Sequence, residues 1–246
     1  MSGTPALLEE AVEAHGGRAS WEAASRIGCR VRTGGLLPRA RMVAGMVAEY
    51  RLEIDIHEPR ATLHGFPEKG KRGEFTPGEV SVRTRGGSRE RERSNPRDAF
   101  GGLGAMRRSV RWDALDILYF GGYAMWNYLT LPFLLLRPEI EVRPHGRIDD
   151  GGTVLRGLHA RFPEGFPTHN REQVVWFDAA GRVRRHDYTA SVVAPLARAA
   201  HYTDEYVTAG GLTLPSARRA LPRAGRESVV RAPVLVSLQL DGHEVV

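Results

Sequence analysis

From residue 42 to residue 56, apolar side chains occupy every second position. Met42, Ala44, Met46, Ala48, Tyr50, Leu52, Ile54 and Ile56 share one phase, and Glu49, Arg51, Glu53, Asp55 and His57 share the other. Period two is the repeat of a strand with one face in the core and one in water. The run exceeds an ordinary strand, so it predicts one long bent strand or two in phase, broken near Gly45. In 27–33, Ile27, Cys29 and Val31 alternate with Gly28, Arg30 and Arg32. FTPGEV (75–80) reads as a hairpin with Pro77 and Gly78 at a type II turn. VVWFDAAGRVRRHDY (174–188) reads as a second, turning at 178–181, and 199–208, GLTLPSARRAL and 234–240 as further strands. The fold class expected is mainly β (α+β), a strongly curved antiparallel sheet or half-barrel. Ile27, Val31, Leu52, Ile54 and Ile56 are expected on its concave side or in the core.

Two helical segments interrupt the alternation. Thr4 can cap a helix beginning at Pro5, and Gly16 and Gly17 can end it, with Ser20 placed to cap one further turn carrying Trp21. Asp113 opens the second segment, and residues 117–136 contain no charge. That length reaches a membrane span. Gly121, Gly122, Asn127, Pro132 and six interspersed aromatics argue instead for a plug buried inside the fold, with no transmembrane span. A peripheral membrane contact stays open. Nothing marks a domain boundary, so a single domain, 1–246, is expected. FGGLGAM (100–106) fits no phosphate loop and reads as a flexible connection.

The formal charge of +6 and the pI near 9.9 resemble a nucleic-acid signature, but Lys69 and Lys71 are the only lysines. With so many alanines and glycines, the arginine excess reads as composition, and the stretch 83–97 as a solvated strand face. No nucleic-acid partner is expected. Cys29 is the only cysteine. It excludes an internal disulfide and reads as a packed thiol. The opening residues carry acids and no unbroken apolar run, which with the lone cysteine gives a cytoplasmic expectation.

The short helix ending in AHGG, then Trp21 and a strand, resembles the outer-membrane lipoprotein-sorting (LolA-like) superfamily. So does the aromatic segment ending in LPFLLL with its following meander of strands. More closely, YFGGYAMWNYLTLPFLL, THNREQVVWFD and RRHDYTA resemble a group of uncharacterised bacterial proteins of this size. The resemblance implies an open LolA-like, lipocalin-like half-barrel with helices packed into its concave face around an apolar ligand. Neither the carriers' export signal nor their lipidation cysteine is expected for this protein.

No Walker A loop, HExxH, paired CxxC or GxSxG elbow is present. The candidate catalytic residues are polar groups late in the chain. If 183–191 pairs with 199–208 around a turn centred near Pro195, Tyr188 falls opposite Tyr202 and His186 opposite Asp204. Such a pair would orient an imidazole for acid–base work. Asp187 faces the other way, and the length of the preceding hairpin loop changes what faces His186. Either Asp204 or Asp187 is the orienting carboxylate. The ligand-binding set is Tyr119, Phe120, Tyr123, Trp126, Tyr128 and Phe133 from the plug, with His169 and His201, which come close if both point inward. Three histidines scattered in sequence are weak grounds for a metal, so no metal and no cofactor are expected. The partner expected is an apolar small molecule. The function favoured for it is a cofactor-independent acid–base enzyme, a cyclase, isomerase or dehydratase on a polyketide- or terpenoid-like substrate. The alternative is a non-catalytic cytoplasmic binder or carrier of a lipid or metabolite.

Overall fold

The computed structural model describes residues 4–101, 108, 111–225 and 228–246. Residues 102–106 of the glycine-rich stretch lie outside that range. A 14-stranded, wholly antiparallel sheet forms the body. In chain order its strands are β1 (Arg26–Gly34), β2 (Glu49–Asp55), β3 (Arg60–His64), β4 (Lys71–Phe75), β5 (Glu79–Thr84), β6 (Arg89–Ser94), β7 (Glu141–Asp149), β8 (Val154–Arg161), β9 (Glu172–Phe177), β10 (Val183–Thr189), β11 (Arg198–Ala209), β12 (Leu212–Ala224), β13 (Ser228–Val229) and β14 (Val236–Val245). They lie in the order β6-β5-β4-β3-β2-β1-β14-β12-β11-β10-β9-β8-β7, with β13 paired to β12 beside this path. The sheet is therefore two meanders joined where β14 returns between β1 and β12, and it is open, with β6 and β7 as its edges.

Ile27, Cys29, Val31, Leu52, Ile54 and Ile56 are all buried in one continuous core, as alternation requires. Burial pushes the Cys29 thiol up to about 12, the state of a packed, unreactive sulfur. The other face of these strands is laced by surface ion pairs such as Arg51–Glu244 and Arg32–Asp241. In the arginine-rich stretch, Arg83 pairs with Glu74 and Arg89 with Glu79, which is how a solvated strand face is made.

Two local expectations change. The alternation from 42 to 48 is not a strand: Met42 has φ 60 and helical turns α3 (Leu36–Ala40) and α4 (Ala44–Val47) precede β2. Val43 and Val47, four residues apart at helical spacing, are both buried, although period two assigns them to the outward phase opposite Met42, Ala44, Met46 and Ala48, and Met42 is exposed. Pro77 and Gly78 do turn a hairpin, β4–β5, but Gly78 is outside the left-handed region, so the turn is not type II. At the N-terminus α1 (Ala6–Ala14) starts after Pro5 with no side-chain cap. Gly16, at φ 114, ends it, and Gly17 already begins α2 (Gly17–Ala23), with Ser20 inside.

The charge-free segment forms α5 (Ala114–Thr130), followed by a 3₁₀ turn (Phe133–Leu136). Asp113 and Asp116 start the helix with a reciprocal capping box. Among the described residues no helix is long and apolar enough to cross a membrane. Instead α5 lies in the concave face, where Trp126 Nε1 donates to the Asp55 carbonyl at 2.8 Å. Close approach is made by glycines on both partners. A Cβ on Gly122 would sit 2.4 Å from Phe75 Cγ, and one on Gly73 would sit 2.6 Å from Leu118 Cδ1. Gly121 has open space beside it. Gly122→Ala should therefore cost about 1–3 kcal/mol by overpacking, whereas Gly121→Ala should stabilise by up to about 1 kcal/mol through helix propensity. Paired urea melts of the two variants check this, and equal midpoints would contradict the packing described.

Candidate functional site

Helix α5 does not fill the half-barrel. Between it, the α3–α4 turns and the sheet lies a cavity of about 360 Å³. Its walls include Val43, Val47, Leu63, Phe120, Ala124 and Met125. Leu196 and Arg198 mark its exposed end, with Arg41 and Arg223 nearby, while Tyr128, Tyr188 and His201 close the buried end. Arg41 Nη2 donates to the Val193 carbonyl at 3.2 Å, tying the α3–α4 turns to the 190–197 turn across the cavity. No aspartate or glutamate lies among the lining residues described, so the charge in the cavity walls is all positive.

The buried end rests on a network whose direction can be deduced. Arg218 Nε lies 3.4 Å from His201 Nε2, and a guanidinium can only donate. His201 Nε2 is then the acceptor, so Nδ1 carries the proton and donates to Tyr188 Oη at 3.1 Å. Tyr188 in turn donates to Tyr128 at 3.0 Å, Tyr128 to His169 Nε2 at 2.7 Å, and His169 Nδ1 to Tyr123 at 3.2 Å. One guanidinium thus orders five side chains in series, each used once as donor and once as acceptor until Tyr123. The His169 and Tyr188 rings also stack at 3.8 Å. Burial, assisted by the Arg218 charge, holds His201 well below its ordinary pKa. Burial foremost does the same to His169, and it lifts Tyr188 to about 12. At neutral pH the network is uncharged apart from Arg218.

A second chain lies behind it. His186 Nε2 donates to Gln173 Oε1 at 2.6 Å, Gln173 Nε2 to Thr168 Oγ1 at 2.7 Å, and Thr168 to Asn127 Oδ1 at 2.7 Å. Asn127 Nδ2 bonds the Pro167 carbonyl at 2.9 Å, fixing the 163–170 connection to α5.

The expected residues divide between the two faces of the sheet. The strand partners expected for His186 and Tyr188 are corrected: His186 pairs with His201 and Tyr188 with Ala199. The turn closes at Ala190 N to Ala197 O, 2.8 Å, and so is centred between Val193 and Ala194 rather than at Pro195. The resulting slip is three residues. An odd slip exchanges faces, so Asp204 and Tyr202 do not meet His186 or Tyr188. Asp204 pairs with Arg219, and Tyr202 donates to Asp150 at 3.1 Å. Asp187 is buried opposite His186, where both its oxygens accept from Arg185 and Oδ2 also accepts from Trp176 Nε1 at 3.0 Å. His186 itself is sealed from the cavity, and burial, then the charge of Arg218, pushes it down to about 3. From the plug, Phe120 and Tyr128 border the cavity. Tyr119, Tyr123, Trp126 and Phe133 pack in the core around it, with Phe133 stacked on Trp21 at 4.3 Å. His169 and His201 do come together, through Tyr128 and Tyr188. The residues not foreseen are Arg218, Gln173 and the three arginines of the cavity wall. Adjacent arginines in PSARRAL, in an alternating strand, do require one to face inward.

Three solved structures share this architecture across nearly the whole chain. A DUF1329 family protein from Desulfovibrio piger superposes with a TM-score of 0.51 at 12% identity, covering 98% of this chain and 92% of that one. A LolA superfamily protein from Nitrosomonas europaea gives 0.51 at 10%, covering 96% and 90%. The fold is LolA-like. A domain from Vibrio parahaemolyticus, assigned to outer membrane lipoprotein sorting, matches this LolA-like half-barrel at 0.52 and 11%, over 97% and 91% of the chains. No family model and no curated protein matches the sequence.

Proposed function

We propose that this LolA-like half-barrel is a non-catalytic binder of an apolar, lipid-like molecule, held in the cavity between α5 and the sheet. The observation that carries this reading is the cavity itself: about 360 Å³, walled by aliphatic and aromatic side chains and opening beside Leu196 and Arg198. A cavity of that size and lining suits a small greasy ligand whose few polar contacts sit at its ends. The assignment of one fold neighbour to lipoprotein sorting agrees with it. The enzyme reading retains one support, the donor chain that enters His201 on the cavity wall, where a neutral imidazole meets a guanidinium. Against it, burial of the histidines removes the near-neutral titration that acid–base catalysis uses.

Nile red tests the reading directly. The wild-type protein should bind it with a fluorescence gain. Ala124→Phe, which places a ring in the cavity from α5, should weaken binding at least about 10-fold with the fold intact by circular dichroism. If Nile red fails to bind, or binds the filled variant equally well, the cavity is not the ligand site.

A further inference from the structure

Arg218 is nearly wholly buried, its side chain lies over the Tyr128 ring at 4.5 Å, and its Nη2 has no hydrogen-bond partner among the described residues. It makes no ion pair there. The carboxylate nearest in effect, Asp204, is already held by Arg219 at 3.1 Å. Around it the groups are neutral: Tyr128, Tyr188, His201, and His186, whose Nδ1 is also buried without a partner. A guanidinium buried without a counter-charge is costly, and a bound anion would offset that cost. Arg218 does not itself line the cavity: Tyr128 and His201, which it touches, form the cavity's inner wall in front of it, so a head group reaches the guanidinium by displacing the His201 contact.

We propose that Arg218 anchors the head group of the cavity's ligand, and that this ligand is a carboxylate amphiphile bound head inward. The inference rests on the apolar-ligand reading and names its chemistry. A monoanion matches a single guanidinium, whereas a phosphate monoester would bring surplus negative charge to a site with one buried cation. The planar guanidinium fits a carboxylate through two parallel hydrogen bonds, and Nη2 is available for one of them. The other replaces the long 3.4 Å contact from Nε to His201. The hydrocarbon body then runs outward past Phe120, Met125 and Leu63, and the arginines at the exposed end raise the local concentration of anions during entry.

The experiment compares myristate with tetradecanol, equal in chain and different in head, by displacement of Nile red. Wild-type protein should prefer myristate at least 10-fold. Arg218→Met, which removes an unpaired buried charge while keeping bulk, should lose that preference and leave tetradecanol affinity within two-fold. Arg218→Gln serves the same comparison should the methionine variant not fold. Persistence of the preference without Arg218 would overturn the proposal, as would its loss in Arg198→Ala alone, which would put the head at the exposed end. Binding of both probes by wild type without preference overturns this inference and leaves the apolar cavity standing, and binding of neither overturns both. In the wild type alone, nuclear Overhauser contacts should join the myristate C2 protons to the Tyr128 and His201 rings. Contacts from the terminal methyl to those rings would mean the opposite orientation.

Discussion

Acidification from pH 7 to pH 5 should remove most of the protein's stability. His15, His169, His186 and His201 are all buried. Burial pushes His15 to about 4 and His186 to about 3, and holds His169 and His201 well below the ordinary value of 6.5. Their folded-state values lie below their unfolded ones, so the unfolded chain takes up protons that the folded one refuses. The stabilisation is complete above about pH 6.5 and is lost as pH falls through that value toward 3. Each such histidine contributes a slope of about 1.4 kcal/mol per pH unit. Four together give on the order of 5 kcal/mol per pH unit, against a total stability of roughly 5–15 kcal/mol. Urea unfolding between pH 7.5 and 5.5 measures the slope directly, and His186→Gln should reduce it by about one proton. A flat profile over that range would show that these histidines are protonated in the folded state.

Asp116→Ala should be the most damaging single change to the scaffold, at roughly 3–5 kcal/mol. Its carboxylate is fully buried and accepts from Arg93 Nη1 at 2.7 Å and Arg108 Nε at 2.5 Å. It also closes the capping box by accepting from Asp113 N at 3.0 Å. Removing it leaves two arginines facing a missing partner and opens the first turn of α5, the element that forms one cavity wall. Asp113→Ala should cost less, because that side chain, which caps the Asp116 amide and accepts from Arg93 Nη2 at 2.8 Å, is 35% exposed and its ion pair is partly screened by water. The urea midpoints of the two variants settle the order, and a milder effect at Asp116 than at Asp113 would refute it.

Alternation identified the concave face at Ile27, Val31, Leu52, Ile54 and Ile56 because parity along a strand depends only on the strand. It failed at Met42 and Ala44, where a short helical turn buries Val43 and Val47 instead, four residues apart and in the opposite phase, and leaves Met42 exposed. The uncharged stretch marked α5, since a helix apolar on all sides has nowhere else to go in a folded sheet. The register of β10 against β11 lay beyond the pattern. It depends on how the 190–197 turn closes, and a three-residue difference there moved Asp204 and Tyr202 to the other face from His186. Arg218 was unreadable for a related reason. PSARRAL requires one buried arginine, but only the pairing with Thr203 and Leu238 shows which. The aromatics of the plug were recognisable as interior, yet their division into core and cavity wall is set by where α5 sits over Phe75, a contact made possible by Gly122 and Gly73.

The two free margins of the sheet explain why so wide an open surface does not grow. A half-barrel leaves one strand at each end with unused backbone donors and acceptors, an invitation to any other extended chain. At one end β6 reads Arg89-Glu90-Arg91-Glu92-Arg93-Ser94, and a chain docking there would strip water from charges on both of its faces. At the other end β7 carries Pro144, which has no amide hydrogen to offer, beside a bulge that breaks the ladder. Charge guards one margin and irregular geometry the other, so the sheet can remain open enough to hold a cavity without becoming a template for aggregation.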